Sequence, residues 1–178
     1  MRTGASLLGL AKAVEKLAAH PACALDRTEL AYQLPVLLAQ IHRLQSTALK
    51  WLDEADAMGA YAVTGYPDSP TWLGHRSTCD YGLSTHLTWL AERLPHHPEV
   101  SEAVDACRFG IDHAGLLIRF LDDHAEDLAD HPRRTALLAE LLADAEHPDT
   151  AVLSESLLHC AQSLTPPAAA PAALTVAA

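Results

Sequence analysis

Residues 64–117 place the tightest limits on how this chain folds. The segment predicts a short helix, a turn over residues 80–82 that contains Gly82, and a second helix over residues 85–94. Ser84 is the predicted N-cap of that second helix, since serine favours this position. Two helices joined by a tight turn with glycine are typical of a helix-turn-helix unit.

Composition favours helix in the rest of the chain as well. The 178 residues are rich in Ala and Leu, and only 5% are aromatic. Ala and Leu are strong helix formers, whereas the β-branched residues that favour strands are sparse. The sequence therefore predicts an all-α fold, a multi-helix bundle with a helix-turn-helix-like core. We expect Trp51 and Trp72 to pack inside it.

The positions of the proline residues predict that the chain divides into three segments. We expect an N-terminal helix within residues 1–25, an all-α domain over residues 26–162, and a disordered Ala/Pro tail over residues 163–178. Asp26 and Glu29 resemble a capping box at the start of a long helix with a wide apolar stripe. Pro35 predicts a kink or a restart in that helix.

The predicted second helix of the helix-turn-helix unit has two distinct faces. One face is an inward stripe, whose members are Leu83, Leu87, Leu90 and Leu94. The other face carries His86, Trp89 and Arg93, and it is the face expected to reach a partner.

Charge limits what such a partner can be. The formal net charge is −11, but residues 1–52 hold 6 basic and 3 acidic residues, whereas residues 53–178 hold 6 basic and 20 acidic ones. Non-specific nucleic-acid binding depends on a basic surface. A DNA-contacting surface on this chain must therefore be small and local.

Several classes of protein are not expected. Four widely spaced cysteines form no Cys-x-x-Cys pair, so we expect buried thiols in a reducing cytosol and no zinc ribbon. A signal peptide and a membrane-spanning apolar run are absent from the sequence, which predicts a cytoplasmic protein with no membrane partner. A nucleophile elbow and a phosphate-binding glycine loop are absent too, so we expect neither catalysis nor a cofactor.

Five short motifs occur in a fixed order within residues 30–125. They are Asp56-Ala57-Met58-Gly59, Gly65 followed by Trp72-Leu73, Gly82-Leu83-Ser84, Ala91-Glu92-Arg93-Leu94-Pro95, and His113-Ala114. In this order and spacing the chain resembles the domain of unknown function 222. That domain usually forms the N-terminal part of actinobacterial HNH-endonuclease-like repeat proteins, so the resemblance implies an all-α, DNA-associated module.

The chain also departs from that family. Cys107 stands where the family usually has glycine, and Gly110 where it usually has serine. The helix after Gly-Leu-Ser is normally rich in arginine, but here it offers only Arg93. The HNH nuclease module itself is missing from the sequence, so the nuclease activity of the wider family is not expected here.

The Gly-Leu-Ser helix resembles the DNA-reading helix of partition-type helix-turn-helix proteins. A recognition helix places its N-terminal side chains on base edges, while other contacts go to phosphates. The candidates for base edges are Thr85, His86, Thr88 and Trp89, and those for phosphates are Arg76, Arg93 and Arg108. The alternative is a helical hairpin that only completes the core.

Three further interpretations remain open. One is protein interaction or self-association as a homo-oligomer through the long N-terminal helix. Another is that the chain is a remnant of a truncated HNH-endonuclease-like protein. A weak metal site is the third: His124, Asp127 and His131 are spaced so that one helical face would present all three. A solvated acidic face is the alternative for those residues.

Overall fold

A computed structural model describes residues 2–129 and 131–164, and 81% of it is helical. These residues form ten α-helices and no strand, which confirms the all-α prediction. The helices are α1 (Arg2–Ala18), α2 (Arg27–Ala57), α3 (Ala60–Val63), α4 (Ser69–Ser77), α5 (Tyr81–Arg93), α6 (Pro98–Asp105), α7 (Ile111–Asp123), α8 (Ala125–Ala129), α9 (Arg134–Asp144) and α10 (Thr150–Leu164).

Residues 1–41 form a first compact unit, which contains α1 and the beginning of α2. The predicted capping box is present at the start of α2. Asp26 Oδ1 accepts the backbone N–H of Glu29 at 2.8 Å, and Glu29 Oε2 accepts the backbone N–H of Asp26 at 3.0 Å. The α2 helix continues through Pro35, so the predicted restart does not occur. None of the side chains described between residues 4 and 41 is buried.

Residues 42–178 form the second unit, and its described part contains the hydrophobic core. Helix α7 lies at the centre of this core, because Ala114, Leu117 and Ile118 have no exposed surface. It packs against α6 and α10, while α10 also packs against α9, and α4 packs against α5. The core is mainly aliphatic, as a chain with few aromatic residues requires, and Phe109 and Phe120 are its buried aromatic members.

Polar contacts join α2 to α6 within the second unit. Asp105 accepts hydrogen bonds from Ser46 Oγ and Lys50 Nζ, both at 2.5 Å. Burial acts to raise the pKa of Asp105, but these hydrogen bonds and the Lys50 charge outweigh it and hold the pKa below its usual value. The carboxylate of Asp105 is therefore stabilised in its charged form in the folded protein.

One of the two tryptophan predictions about the core is wrong. Trp51 is 49% exposed, because α2 buries the face that carries Ser46, Leu49 and Leu52, and Trp51 lies outside that face. Trp72, in contrast, packs against the core as expected.

The prediction that all the cysteines are buried is also wrong. Cys160 is buried, whereas Cys23 is exposed and Cys79 and Cys107 are half-buried. Cys107 follows α6 with a left-handed backbone (φ 56°), and this turn places its side chain at the edge of the core instead of inside it.

The last helix sets the end of the described chain. Helix α10 reaches Leu164, two residues beyond the predicted domain end at 162. Asp149 accepts the backbone N–H of Ala151 at 2.9 Å at its start. The tail predicted over residues 163–178 lies, from residue 165 onward, outside the described residues. Across the described helices, none combines the length and the apolar character that crossing a bilayer requires.

Candidate functional site

Helices α4 and α5 are each started by an aspartate and are joined by a three-residue turn. Asp68 Oδ1 accepts the backbone N–H of Thr71 at 2.8 Å at the start of α4. Hydrogen bonding by Thr71 lowers the pKa of Asp68. Thr78 ends α4 in the left-handed conformation (φ 58°), which reverses the chain, and Asp80 then caps α5. A turn of three residues between two helices is the kind of connection that a helix-turn-helix unit has.

The predicted N-cap of α5 is wrong. Asp80 Oδ1 accepts the backbone N–H of Leu83 at 2.8 Å, so α5 begins at Tyr81 and Gly82 lies inside the helix, not in the turn. Ser84 lies in the first turn with no exposed surface. With Asp80 at the cap position, Ser84 lies inside the helix and faces Gly74 of α4.

The two helices approach most closely between Gly74 and Ser84. A Cβ added to Gly74 would lie 3.3 Å from Ser84 Oγ, which is a tight contact. The Ser84 hydroxyl donates within its own helix, to the backbone oxygens of Asp80 at 3.0 Å and Tyr81 at 3.1 Å. Leu83, predicted to point inward, is instead 43% exposed, whereas Leu90 and Leu94 of the same stripe are buried. Two small residues thus set the spacing of the pair.

An open groove lies between α5 and α7. Thr85, His86, Trp89 and Arg93 line it from α5, and the last three form the face that the sequence predicted. The His86 ring stacks on Trp89 with 5.8 Å between centroids and an interplanar angle of 22°.

Helix α7 supplies the opposite wall of the groove, with Arg119, Asp122 and Asp123. The guanidinium carbon of Arg119 lies 5.1 Å from the centroid of the Trp89 ring, within reach of a cation–π contact. An Arg119 nitrogen lies 3.5 Å from His86 Nδ1. The sequence prediction missed this wall. Its signal is Arg119 and Asp122, two polar residues three apart that interrupt an apolar helix.

The charges of the groove largely balance. Arg93 Nε lies 3.8 Å from Asp122 Oδ2, and Asp122 Oδ1 lies 3.0 Å from His97 Nε2. Arg93 Nε itself is buried and makes no hydrogen bond to any described residue. Two arginines thus face two aspartates, so the groove is polar and aromatic but not strongly basic.

The other predicted contact residues do not all reach this groove. Thr88 donates to the backbone oxygen of Ser84 at 2.8 Å, and Arg76 is exposed on α4 away from the groove. Arg108 lies after α6 and forms an ion pair of 2.5 Å with Glu146. The fold therefore gathers four of the seven candidates and disperses the other three.

The weak metal candidates do not share one helical face. His124 lies at the break between α7 and α8, with its Nδ1 3.6 Å from Asp127 Oδ2. His131 follows α8, and its Nδ1 accepts the backbone N–H of Arg133 at 3.2 Å. Asp130 lies outside the described residues. Over residues 2–129 and 131–164, no group of three potential ligands comes together.

The chain matches no protein-family model, no curated protein and no solved structure.

Proposed function

We propose that this chain is a non-catalytic binding module that contacts DNA through α5. The observation that carries the proposal is the three-residue turn, with a left-handed residue, between two aspartate-capped helices. In a helix-turn-helix protein the second helix lies in the major groove, with its N-terminal side chains on base edges. On α5, which begins at Tyr81, Thr85 and His86 lie in the second turn and are the candidates nearest to that N-terminal end.

The likeness to the domain of unknown function 222 supports the same proposal. Cys107 stands where that family usually has glycine, and its φ of 56° is a backbone conformation that glycine adopts most readily. The departure in residue type thus retains the backbone shape of that turn. DNA association, which that family implies, comes to this chain only as part of the proposal.

The balance of positive and negative charges in the groove limits how strongly DNA binds. Arg93, the last residue of α5, and Arg119 on α7 are the cations that line the groove, and Asp122 and Asp123 offset them. Each phosphate neutralised by a protein adds about 0.9 to the slope of log affinity against log salt. We therefore expect weak binding with a shallow salt slope.

Fluorescence anisotropy at low salt, with mixed-sequence and GC-rich duplexes, tests the proposal. Arg93→Ala should weaken binding by about 3–10-fold, because each well-placed charged contact is worth roughly 1 kcal/mol. Arg134→Ala is the matched control, since it removes an exposed arginine from α9, outside the groove. No binding by the unmodified chain, or an equal loss in both variants, rules out DNA contact at this site.

Protein binding at the same groove is a second candidate. The charge balance favours it, because Trp and Arg in a neutral setting are typical of protein interfaces. Asp123→Asn separates the two ligands: less negative charge should strengthen binding of a duplex and weaken binding of an oligo-arginine peptide. Weaker binding of the duplex contradicts DNA as the ligand, and unchanged binding of the peptide contradicts a cationic protein segment.

A further inference from the structure

The first compact unit, residues 1–41, carries two apolar stripes with the spacing of a coiled coil. Alternating steps of three and four residues are the pattern of a and d positions in a heptad repeat. On α1 the residues are Leu7, Leu10, Val14 and Leu17, and on α2 they are Leu30, Leu34, Leu37 and Ile41. Together these eight residues are called the N-terminal seam.

Every residue of the N-terminal seam is at least 37% exposed. Isolated helices of this length are marginal in water, and most helical stability in proteins comes from packing an apolar face. A helix of 17 residues such as α1, with no described side chain buried, lacks that source of stability within the chain. The seam therefore needs another apolar surface to pack against.

The distribution of charge along the chain indicates which partner suits the seam. Residues 1–41 hold 4 basic and 3 acidic residues, whereas residues 42–178 hold 8 basic and 20 acidic ones. Two copies of the chain repel each other through the acidic part, and the near-neutral unit is where they approach at the least electrostatic cost. A strongly charged partner finds no complementary charge in this unit.

The residues beside the seam are compatible with the pairing of two identical helices. On α2 the positions flanking the seam, where coiled coils set their pairing by charge, are Ala31, Gln33, Leu38 and Gln40. None of them is charged, so identical helices meet no repulsion there. A heptad stripe packs knobs into holes against a partner with the same repeat, and a second copy supplies one.

We propose that the N-terminal seam is a homodimer interface, covered by the same seam of a second copy of this chain. This proposal does not depend on DNA binding, because it concerns another surface and is tested by measuring the molecular mass of the protein in solution.

The test measures the mass of the full chain by size exclusion with light scattering, over a range of concentrations. The unmodified chain should be dimeric at micromolar concentration. Leu37→Glu should raise the dissociation constant at least 100-fold, since it places a charge in the seam. Val36→Glu is the matched control: Val36 is the preceding residue, it is 60% exposed against 42% for Leu37, and it lies outside the seam. This variant should change the dissociation constant less than 3-fold.

Leu34→Ala provides a second variant that keeps helix propensity, and it should weaken the dimer in the same direction by about 10-fold. Circular dichroism checks that each variant keeps its helices. A monomer at every concentration overturns the proposal, as does a dimer that Val36→Glu disrupts as strongly as Leu37→Glu. Undiminished dimerisation of both Leu37→Glu and Leu34→Ala also overturns it.

Discussion

Asp105 Oδ2 on α6 and Lys50 Nζ on α2 lie 2.5 Å apart. The pKa of Asp105 is lowered in the folded state relative to an unfolded carboxyl near 3.9. A lowered pKa contributes stability that is present above the unfolded pKa and is lost as the pH falls through the folded pKa. The contact therefore stabilises the fold at neutral pH and ceases to do so in acid.

Asp105→Asn should lower the free energy of unfolding at pH 7 by up to about 1 kcal/mol, a modest loss because the ion pair is partly exposed. It should also reduce the fall in stability below about pH 4. Urea denaturation at several pH values measures both effects. Glu102→Gln, at another exposed position on the same helix, is the control, and an equal effect there contradicts a specific role for Asp105.

The cap of α5 gives a second prediction. Asp80→Ala should destabilise the fold by about 1 kcal/mol, because it removes the acceptor for the Leu83 backbone N–H. Ser84→Ala should cost less than about 0.5 kcal/mol, since alanine fits the buried space and favours helix. Thermal melting of the two variants compares them. A larger loss of stability from Ser84→Ala than from Asp80→Ala would mean that Ser84 is the more important residue at the start of α5.

The central position of α7 gives a third prediction. Leu117 has no exposed surface, so Leu117→Ala should cost about 2–5 kcal/mol through lost burial and the cavity left behind. Leu158, on α10, is 61% exposed, and Leu158→Ala should change stability by less than about 0.5 kcal/mol. Guanidinium unfolding curves measure the difference. Equal losses would mean that the core is not centred on α7.

The four thiols should react at different rates. Burial, with the charge of Glu140, raises the pKa of Cys160, and a raised pKa lowers the fraction of reactive thiolate. Cys23 is exposed and should react first with a chromogenic disulfide reagent at neutral pH. Cys23→Ser should remove the fast phase, and Cys160 should react only after denaturant is added. A fast phase that persists in Cys23→Ser contradicts this assignment.

Local sequence determined much of the fold, and tertiary contacts determined the rest. The capping box of Asp26 and Glu29 is a local pattern, and it was predicted. The start of α5 was not, because Asp80 and Ser84 are both good caps and the choice depends on the contact with Gly74. Trp51 suits a core equally well, but its exposure depends on which face of α2 meets the other helices.

The groove shows the same limit more clearly. His86, Trp89 and Arg93 share a face of α5 by spacing alone, and the sequence placed them together. Arg119 and Asp122 come from a helix about thirty residues further along the chain, and helical periodicity does not report which helices are neighbours. The charge balance of the site, which decides its ligand, therefore became visible only in three dimensions.

Asp122 acts in this groove as a counterion that the protein supplies itself. A ligand phosphate that takes Arg93 must first displace the aspartate, so the contact exchanges one anion for another and releases few ions from solution. The favourable entropy that drives most associations with DNA would then be small. Selection among ligands at this groove would depend on how well each one replaces a carboxylate that cannot diffuse away.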